Sequence, residues 1–344
     1  MSGIQKTLIN EKNLAPIVLF VYNRLKHLRE TISALQLNEL AKSSDLVIYS
    51  DGQKNVSDGV LEVREYLKKI NGFNSIKIIE SEKNNGLASQ IISGVSEIVN
   101  KYGKVIVLED DIVVSPYFLD YMNQALNVFE KEKKVWHISG WNYPILTGEM
   151  NEAILWRMMH CWGWATWKNR WQHFEKDPNE LIRSFSQEDI YKFNLDGFEN
   201  FWQQILDNQS GQISTWAIFW YASIFKHRGL CLNPVLSLTK NIGFDGSGVH
   251  CRVRNDLFDI SESLNLIQNL NLPKKIIENK IAVLRAQNFL QYNNLIRDAE
   301  NTKQEIKNLH KEMQNYKKRN EKLNKAIYAI HSTRLWRLTE KIRR

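Results

Sequence analysis

Three consecutive carboxylates, Glu109, Asp110 and Asp111, end the aliphatic run VIVL (105–108). Acids in this arrangement repel one another and are poorly tolerated without a counter-cation. A divalent ion carrying a diphosphate is one such cation, because it takes hard oxygen ligands from carboxylate, phosphate and water together. The same tripeptide also fits a solvated acidic turn. The element in front of it bears on the choice. Four apolar residues in a row need cover on both faces, the mark of a central strand in an α/β sheet. The acids then lie at the carboxyl end of that strand, where open α/β sheets place their ligands.

The rest of the first ~115 residues supplies a frame of the same kind. Apolar runs at 16–22 (PIVLFVY), 46–50 (LVIYS), 76–79 (IKII) and 105–108 (VIVL) alternate with helical patterns over 25–41, 59–70 and 86–101. A further helix is expected over 116–134, with Pro116 near its start. This alternation predicts an α/β fold, a mostly parallel sheet with helices on both faces. Each strand exits into polar residues: Asn23-Arg24, Asp51-Gly52, Asn84-Asn85-Gly86, and the three acids. Four such exits on one rim make a ligand site.

The charge balance places this site in an ordinary globular surface. The chain has 46 Lys and Arg against 38 Asp and Glu. Residues 301–344 hold 13 of the bases and four of the acids, a net +9, and residues 1–300 are left at −1. The basic character belongs to a tail, so a nucleic-acid groove across the main domain is not indicated. The three cysteines, Cys161, Cys231 and Cys251, form neither a disulfide framework nor a zinc pattern. Reduced thiols, no apolar signal region in MSGIQKTLINEKN and no run of ~20 apolar residues point to a cytoplasmic protein.

Ten of the 11 tryptophans fall between residues 136 and 220, most of them expected in the core. The cluster CWGWATW (161–167) suits either core or a pocket wall that stacks on a sugar face. Past Pro273 the pattern turns helical. From Tyr292 a 3,4 spacing of mixed, mostly apolar residues holds through Leu295, Ala299, Thr302, Ile306, Leu309, Met313, Tyr316, Asn320, Leu323, Ile327 and Ile330. A coiled coil over 292–330, roughly 58 Å long at ~1.5 Å per residue, is expected. Asn320 at an a position favours a parallel homodimer. A helix lying back on the main domain is the other arrangement this pattern allows. The end, HSTRLWRLTEKIRR (331–344), breaks the heptad and sets Leu335, Leu338 and Ile342, with Trp336, against Arg334, Arg337, Lys341, Arg343 and Arg344. That pattern fits membrane-surface contact on the inner face of the plasma membrane, or a solvated helix end that complements the macrodipole. The expected organisation is a main domain over 1–262, a helical linker over 263–291, the coiled coil over 292–330 and the tail over 331–344.

APIVLFVYNR, IYSDGQK, NNGLASQ and VIVLEDDIVVSPYFLDYM, in this order, resemble nucleotide-sugar-dependent glycosyltransferases of the GT-A fold, above all the N-acetylglucosaminyltransferase I branch and its bacterial relatives. The likeness continues through WHISGWN (136–142), CWGW and NPVLSLTKNIGFDGSGVH (233–250) and covers roughly residues 15–255. It implies a Rossmann-like GT-A domain and a UDP-sugar donor. Asn23 and Arg24 would line the nucleotide pocket, Asp51 would meet the uracil edge, and Asn85 and Gly86 would open a helix near the ribose. Glu109 and Asp110 would face sugar and ribose, and Asp111 would bind Mn²⁺ or Mg²⁺. Gly163 and Trp164 match an element near the donor sugar. The acceptor would be a cell-surface glycan or a lipid-linked sugar.

An inverting transfer also needs a base for the acceptor hydroxyl. The family's Asp after a Trp is replaced in STWAIFWY (214–221) by Ala217. Asp245, His250 and Glu109 are the candidate catalytic groups. His250 could instead be a further metal ligand, and GFDGSGVH also fits a surface turn. A retaining transfer without a separate base, a catalytically silent scaffold and a sugar nucleotidyltransferase complete the alternatives. The last would want a glycine-rich loop where this chain reads VYNRLKHL.

Overall fold

The computed structural model of the chain describes residues 13–55, 59–145, 151–245, 264, 266 and 268–343. Two units divide the chain, Met1–Phe289 and Leu290–Arg344.

The first unit is built on parallel strands whose residues are buried on both faces. β1 (Ile17–Val21) pairs in parallel with β2 (Asp45–Ser50) on one side and β4 (Lys104–Glu109) on the other, and β3 (Ser75–Glu80) extends β2. All five residues of β1 are buried, as are the first five of β4, and this explains their unbroken aliphatic sequence. β3 sits at the sheet edge and is largely exposed. Beyond β4 the sheet continues with β6 (Val135–Ser139), β7 (Ala153–Trp156), β8 (Trp164–Trp167) and β9 (Leu230–Pro234) in the order β3-β2-β1-β4-β8-β6-β9-β7. Only β8 and β7 run against the other six. The expected mostly parallel sheet is present. A second, two-stranded sheet joins β5 (Ile112–Val114) to β10 (Thr239–Asn241), antiparallel.

Alternate strand residues face opposite helix layers. Ile17, Leu19, Leu46 and Ile48 join Leu28 and Ile32 of α1 (Leu25–Gln36) in the larger core, which also takes in Leu119 and Met122 further along the chain. Between them α2 (Val60–Leu67) and α3 (Leu87–Tyr102) follow β2 and β3. Phe20 and Tyr49 point the other way, toward Gly94 of α3, where any side chain would strike both rings. α4 (Phe118–Val128) carries Leu119 and Met122. Nine of the ten clustered tryptophans are buried, and Trp162 is half-buried. Several pack beneath the short helices α5 (Lys168–Trp171), α6 (Pro178–Ser184), α7 (Gln187–Phe193), α8 (Phe201–Gln209) and α9 (Ala217–Lys226).

Three boundaries differ from the sequence expectation. The helix expected over 25–41 stops at Gln36, because the Asn38 side chain donates to the Ala34 carbonyl (3.2 Å) and accepts from the Leu119 amide (2.9 Å). α4 is shorter than the expected 116–134. Among the described residues of the helical linker placed at 263–291, helix begins only at Lys280. Residues leading to it are fastened to the first unit instead: Asn271 bonds Ala153 and Asn151, and Glu278 takes a bidentate grip from Arg157 at 2.7 and 3.1 Å.

In the second unit α10 (Lys280–Ser332), which begins in the first, continues as one helix, and α11 (Arg334–Arg343) follows. The break falls where the heptad ends. Ile306, Leu309, Met313, Leu323 and Ile327 of the apolar spacing are each about half exposed on the single chain. The side chains of Arg334, Leu335 and Trp336 lie outside the described residues.

Candidate active site

The parallel order of β1, β2, β3 and β4 brings their carboxyl ends to one rim, and side chains from different exits bond across it. Arg24, just past β1, sits between the two aspartates that follow β4. Its Nη2 pairs with Asp110 Oδ1 and lies 2.9 Å from Asp111 Oδ2. Asp110 is further fixed by the Tyr22 amide (3.3 Å to Oδ2), and its carbonyl accepts from Thr31 Oγ1 of α1 (2.9 Å). Both aspartates are buried. Arg24 is thus the protein's own answer to the repulsion evident in the sequence.

The answer is incomplete. Three acids against one guanidinium leave a formal −2. Burial, then Asp111, then Asp110 push the Glu109 carboxyl up to about 8. Burial pushes Asp110 up to about 6 although Arg24 opposes it. Burial also works against the Arg24 charge, but Asp110 and Asp111 outweigh it and hold the guanidinium protonated. Asp111 Oδ1 is buried and accepts no hydrogen bond. An unsatisfied carboxylate oxygen at 5% exposure costs about 1–3 kcal/mol, and a hard cation is the ligand that would use it. Among the described residues no cluster of three His, Cys, Asp or Glu could hold a metal alone. The free oxygen of Asp111 fits an ion that draws its remaining ligands from phosphate and water, as Mg²⁺ and Mn²⁺ do.

β10 closes the other side of this group. The Asp111 carbonyl accepts from the Ile242 amide (2.9 Å) at the strand's exit. Gly243 follows, and a Cβ there would overlap Asp111 Oδ2 and come within 2.9 Å of Arg24 Nη1. Two residues on, Asp245 Oδ2 lies 3.2 Å from Nε2 of His27 in the first turn of α1, with the Asp245 side chain 48% exposed. The structure thus ties Asp245 to the first turn of α1, two residues past the glycine that packs on Asp111. His250 lies outside the described residues.

The remaining sequence candidates separate into two groups. Asn23 is half-buried next to Arg24. Asp51 is buried and ties β2 to the turn before α3. Its Oδ1 accepts from the Gly52 amide (2.8 Å), the Asn85 amide (2.9 Å) and Gln90 Nε2 (3.1 Å), and its Oδ2 from the Gly86 amide (3.0 Å). Only Oδ2 retains capacity for a base edge. Gly86 precedes α3 at φ +79°, ψ 151°, a conformation essentially restricted to glycine. Gly163, at φ +72°, lets Thr239 of β10 approach, since a Cβ would meet Thr239 Cγ2 at 2.8 Å and Phe118 at 3.2 Å. It shapes the site through β10, the strand that leads to Gly243. Trp164 needs correction as a sugar-facing ring. It is 1% exposed and stacked on His137 and Trp216, so no ring face is left for a ligand. The ring with surface to offer is Trp162, which meets Phe244 at 5.4 Å.

Two residues escaped the sequence reading. Arg64 donates from Nη2 to the carbonyls of Asp51 (3.2 Å) and Ser81 (2.7 Å), joining the exits of β2 and β3. Its signal was a charge four residues after Val60 on the apolar face of α2 that also holds Val63 and Leu67. His27 had no local signal, since its partner is Asp245 in a distant segment.

The GNT-I family model matches residues 2–178, just over half of the chain. No curated protein matches the sequence. Among solved structures, the mannosyltransferase PcManGT from Pyrobaculum calidifontis, in complex with GDP-Man and Mn²⁺, is 10% identical at a TM-score of 0.38, over 63% of this chain and 70% of that one. Residues 1–349 of S. aureus TarS are 11% identical at a TM-score of 0.37, over 65% of this chain and 59% of that one. A second TarS structure is 16% identical at a TM-score of 0.27, over 36% of this chain and 21% of that one. The chain spans less than two thirds of both TarS chains.

Proposed function

Since the chain belongs to the GNT-I family of glycosyltransferases, we propose that it moves a sugar from a UDP-sugar to a hydroxyl of a cell-surface glycan or lipid-linked acceptor with the help of Mn²⁺ or Mg²⁺. The observation that supports this most is the buried, unbonded Oδ1 of Asp111 at the end of a central parallel strand. Asp111 would hold the ion, which when bound neutralises charge on the departing diphosphate. Asn23, Arg24, Asp51, Asn85 and Gly86 would line the nucleotide side of the rim, with Glu109 and Asp110 toward ribose and sugar. Gly163 would contribute through backbone and packing.

The transfer forms a bond from the acceptor oxygen to the anomeric carbon and breaks the bond from that carbon to the diphosphate, which leaves with the electron pair. The acceptor proton needs a destination. Asp245 is our candidate, half-exposed and held against His27, with Glu109 and His250 as the other candidates for this role. Much of the rate would come from alignment of the acceptor hydroxyl by the pocket walls. Calorimetric titration of UDP with and without Mn²⁺ tests the assignment. UDP binding that requires the metal is expected, and binding indifferent to metal, or none, defeats it.

The second unit fits a role in placing this site. The half-exposed apolar spacing of α10 supports a homodimeric coiled coil, to be checked by analytical ultracentrifugation. No described helix is long and apolar enough to cross a membrane. α11 instead presents Leu338 and Ile342 beside Arg337, Lys341 and Arg343, which supports peripheral contact with the inner face of a bacterial plasma membrane. Flotation with anionic liposomes should be lost on removal of residues 331–344, and equal flotation ends that idea.

A further inference from the structure

The acid group at the rim already has a cation, and that cation occupies the carboxylates an ion would need. We propose that Arg24 is the resident counter-cation of Asp110 and Asp111 and that it exchanges these carboxylates for the nucleotide's diphosphate, so that nucleotide binding admits the metal. This rests on the assignment of Asp111 as a metal ligand.

Three observations carry it. One nitrogen, Nη2, serves both aspartates, which makes Arg24 a bridge rather than a bystander. The oxygen left over, Asp111 Oδ1, belongs to the carboxylate whose other oxygen Arg24 holds, so an ion on Asp111 and the guanidinium would share one buried carboxyl group. Two cations so close, shielded from water, repel strongly. Finally, Arg24 stands outside β1, as the residue before α1, with its side chain 19% exposed. It has the freedom to turn without breaking a strand bond. A planar guanidinium fork suits phosphate as well as carboxylate, so an arriving diphosphate offers Arg24 an equivalent partner while Asp111 is released. Gly243 packs against both Asp111 and Arg24 and leaves no room for a side chain between the exchanging groups and β10.

The consequence is reciprocal coupling between nucleotide and metal. It is read by electron paramagnetic resonance titration of Mn²⁺ into the full chain, with and without UDP, for the wild type, Arg24→Gln and Arg24→Lys. The wild type should bind Mn²⁺ weakly alone and more tightly with UDP. Arg24→Gln should bind Mn²⁺ alone about tenfold more tightly than the wild type, a typical coupling factor, and gain less from UDP. Arg24→Lys, which keeps the charge and loses the fork, should fall between, and it decides the matter if the glutamine variant fails to fold. In thermal melts without UDP, Mn²⁺ should raise the midpoint of Arg24→Gln and leave the wild type unmoved. If both variants bind Mn²⁺ alone no better than the wild type while UDP still tightens Mn²⁺ binding in all three, the exchange is refuted and the metal site stands. If no protein binds Mn²⁺ even with UDP, the metal assignment fails and the exchange fails with it.

Discussion

Asp111→Asn and Arg24→Gln remove opposite charges from one cluster, and the structure expects them to behave very differently. Asparagine is nearly isosteric and can keep its carbonyl oxygen toward Arg24, now 2.9 Å from Asp111 Oδ2. The substitution weakens a charge-assisted hydrogen bond worth about 1.5–3 kcal/mol. It also exchanges an unsatisfied buried carboxylate oxygen for a neutral amide, which is less costly to desolvate than a charge, and removes the largest charge repulsion acting on Glu109. These terms offset, so the melting temperature should stay within about 4 °C of the wild type, at roughly 2–4 °C per kcal/mol for a domain of this order of size. Arg24→Gln leaves two buried aspartates uncompensated. Removing one partner of a buried pair costs about 3–5 kcal/mol, a fall on the order of 10 °C. Activity should reverse the ranking of harm to Asp111→Asn. Loss of a ligand that supports several kcal/mol of charge stabilisation slows transfer by about 10²–10³-fold. Differential scanning fluorimetry and donor turnover on the same preparations decide the matter. An Asp111→Asn protein that melts 10 °C low, or one that retains full turnover, would refute the view that Asp111 is kept for function at no gain in stability.

Gly163→Ala should cost about 2–4 kcal/mol, from a left-handed backbone and the collision with Thr239, visible as a lowered denaturation midpoint. His137 and His160 are pushed down to about 3, chiefly by burial, and should stay neutral in histidine-labelled NMR spectra to pH 5. The unfolded chain binds protons there that the folded chain refuses, so these two weaken the fold as pH falls from about 6.5 to 3, by about 1.4 kcal/mol per pH unit each. Glu109, held up at about 8, has the opposite sign and weakens it as pH rises toward 8. If α10 forms the proposed homodimer, Asn320→Leu should raise its thermal stability and admit higher oligomers in sedimentation, because a buried amide at an a position restricts partner number.

The strands of the sheet were legible because burial on both faces leaves an unambiguous trace in β1, β2 and β4. Helix ends were less so. The stop at Gln36 depends on Asn38 reaching the Leu119 amide 81 residues away, a contact no local pattern contains. The segment before Lys280 looked like linker because its bonds run to Ala153, Asn151 and Arg157 in distant sequence. Tryptophan clustering marked a dense core correctly and could not say which ring keeps an open face. Trp164 and Trp162 are two residues apart, yet only Trp164 lies in β8, and the partners that set their exposure, Trp216 and Phe244, come from distant sequence.

The acid cluster shows where charge arithmetic along a sequence stops. Adjacent like charges announce that a cation is needed and leave its identity open. A metal and an arginine answer the same electrostatic demand, and Arg24 is 86 residues from Asp110 in the chain. Parallel pairing of β1 with β4, Phe20 opposite Glu109, is what makes their exits neighbours. Once that register is known, the two answers need not exclude each other in time. An arginine offsets the charge of the two buried aspartates in the folded protein, and an oxygen it leaves unbonded would suit a stronger cation. A site with the metal as its sole counter-charge would be most strained when no donor is bound. This one is partly neutralised at rest, and in the proposed exchange the diphosphate would supply both the anion that draws Arg24 away and ligands for the ion.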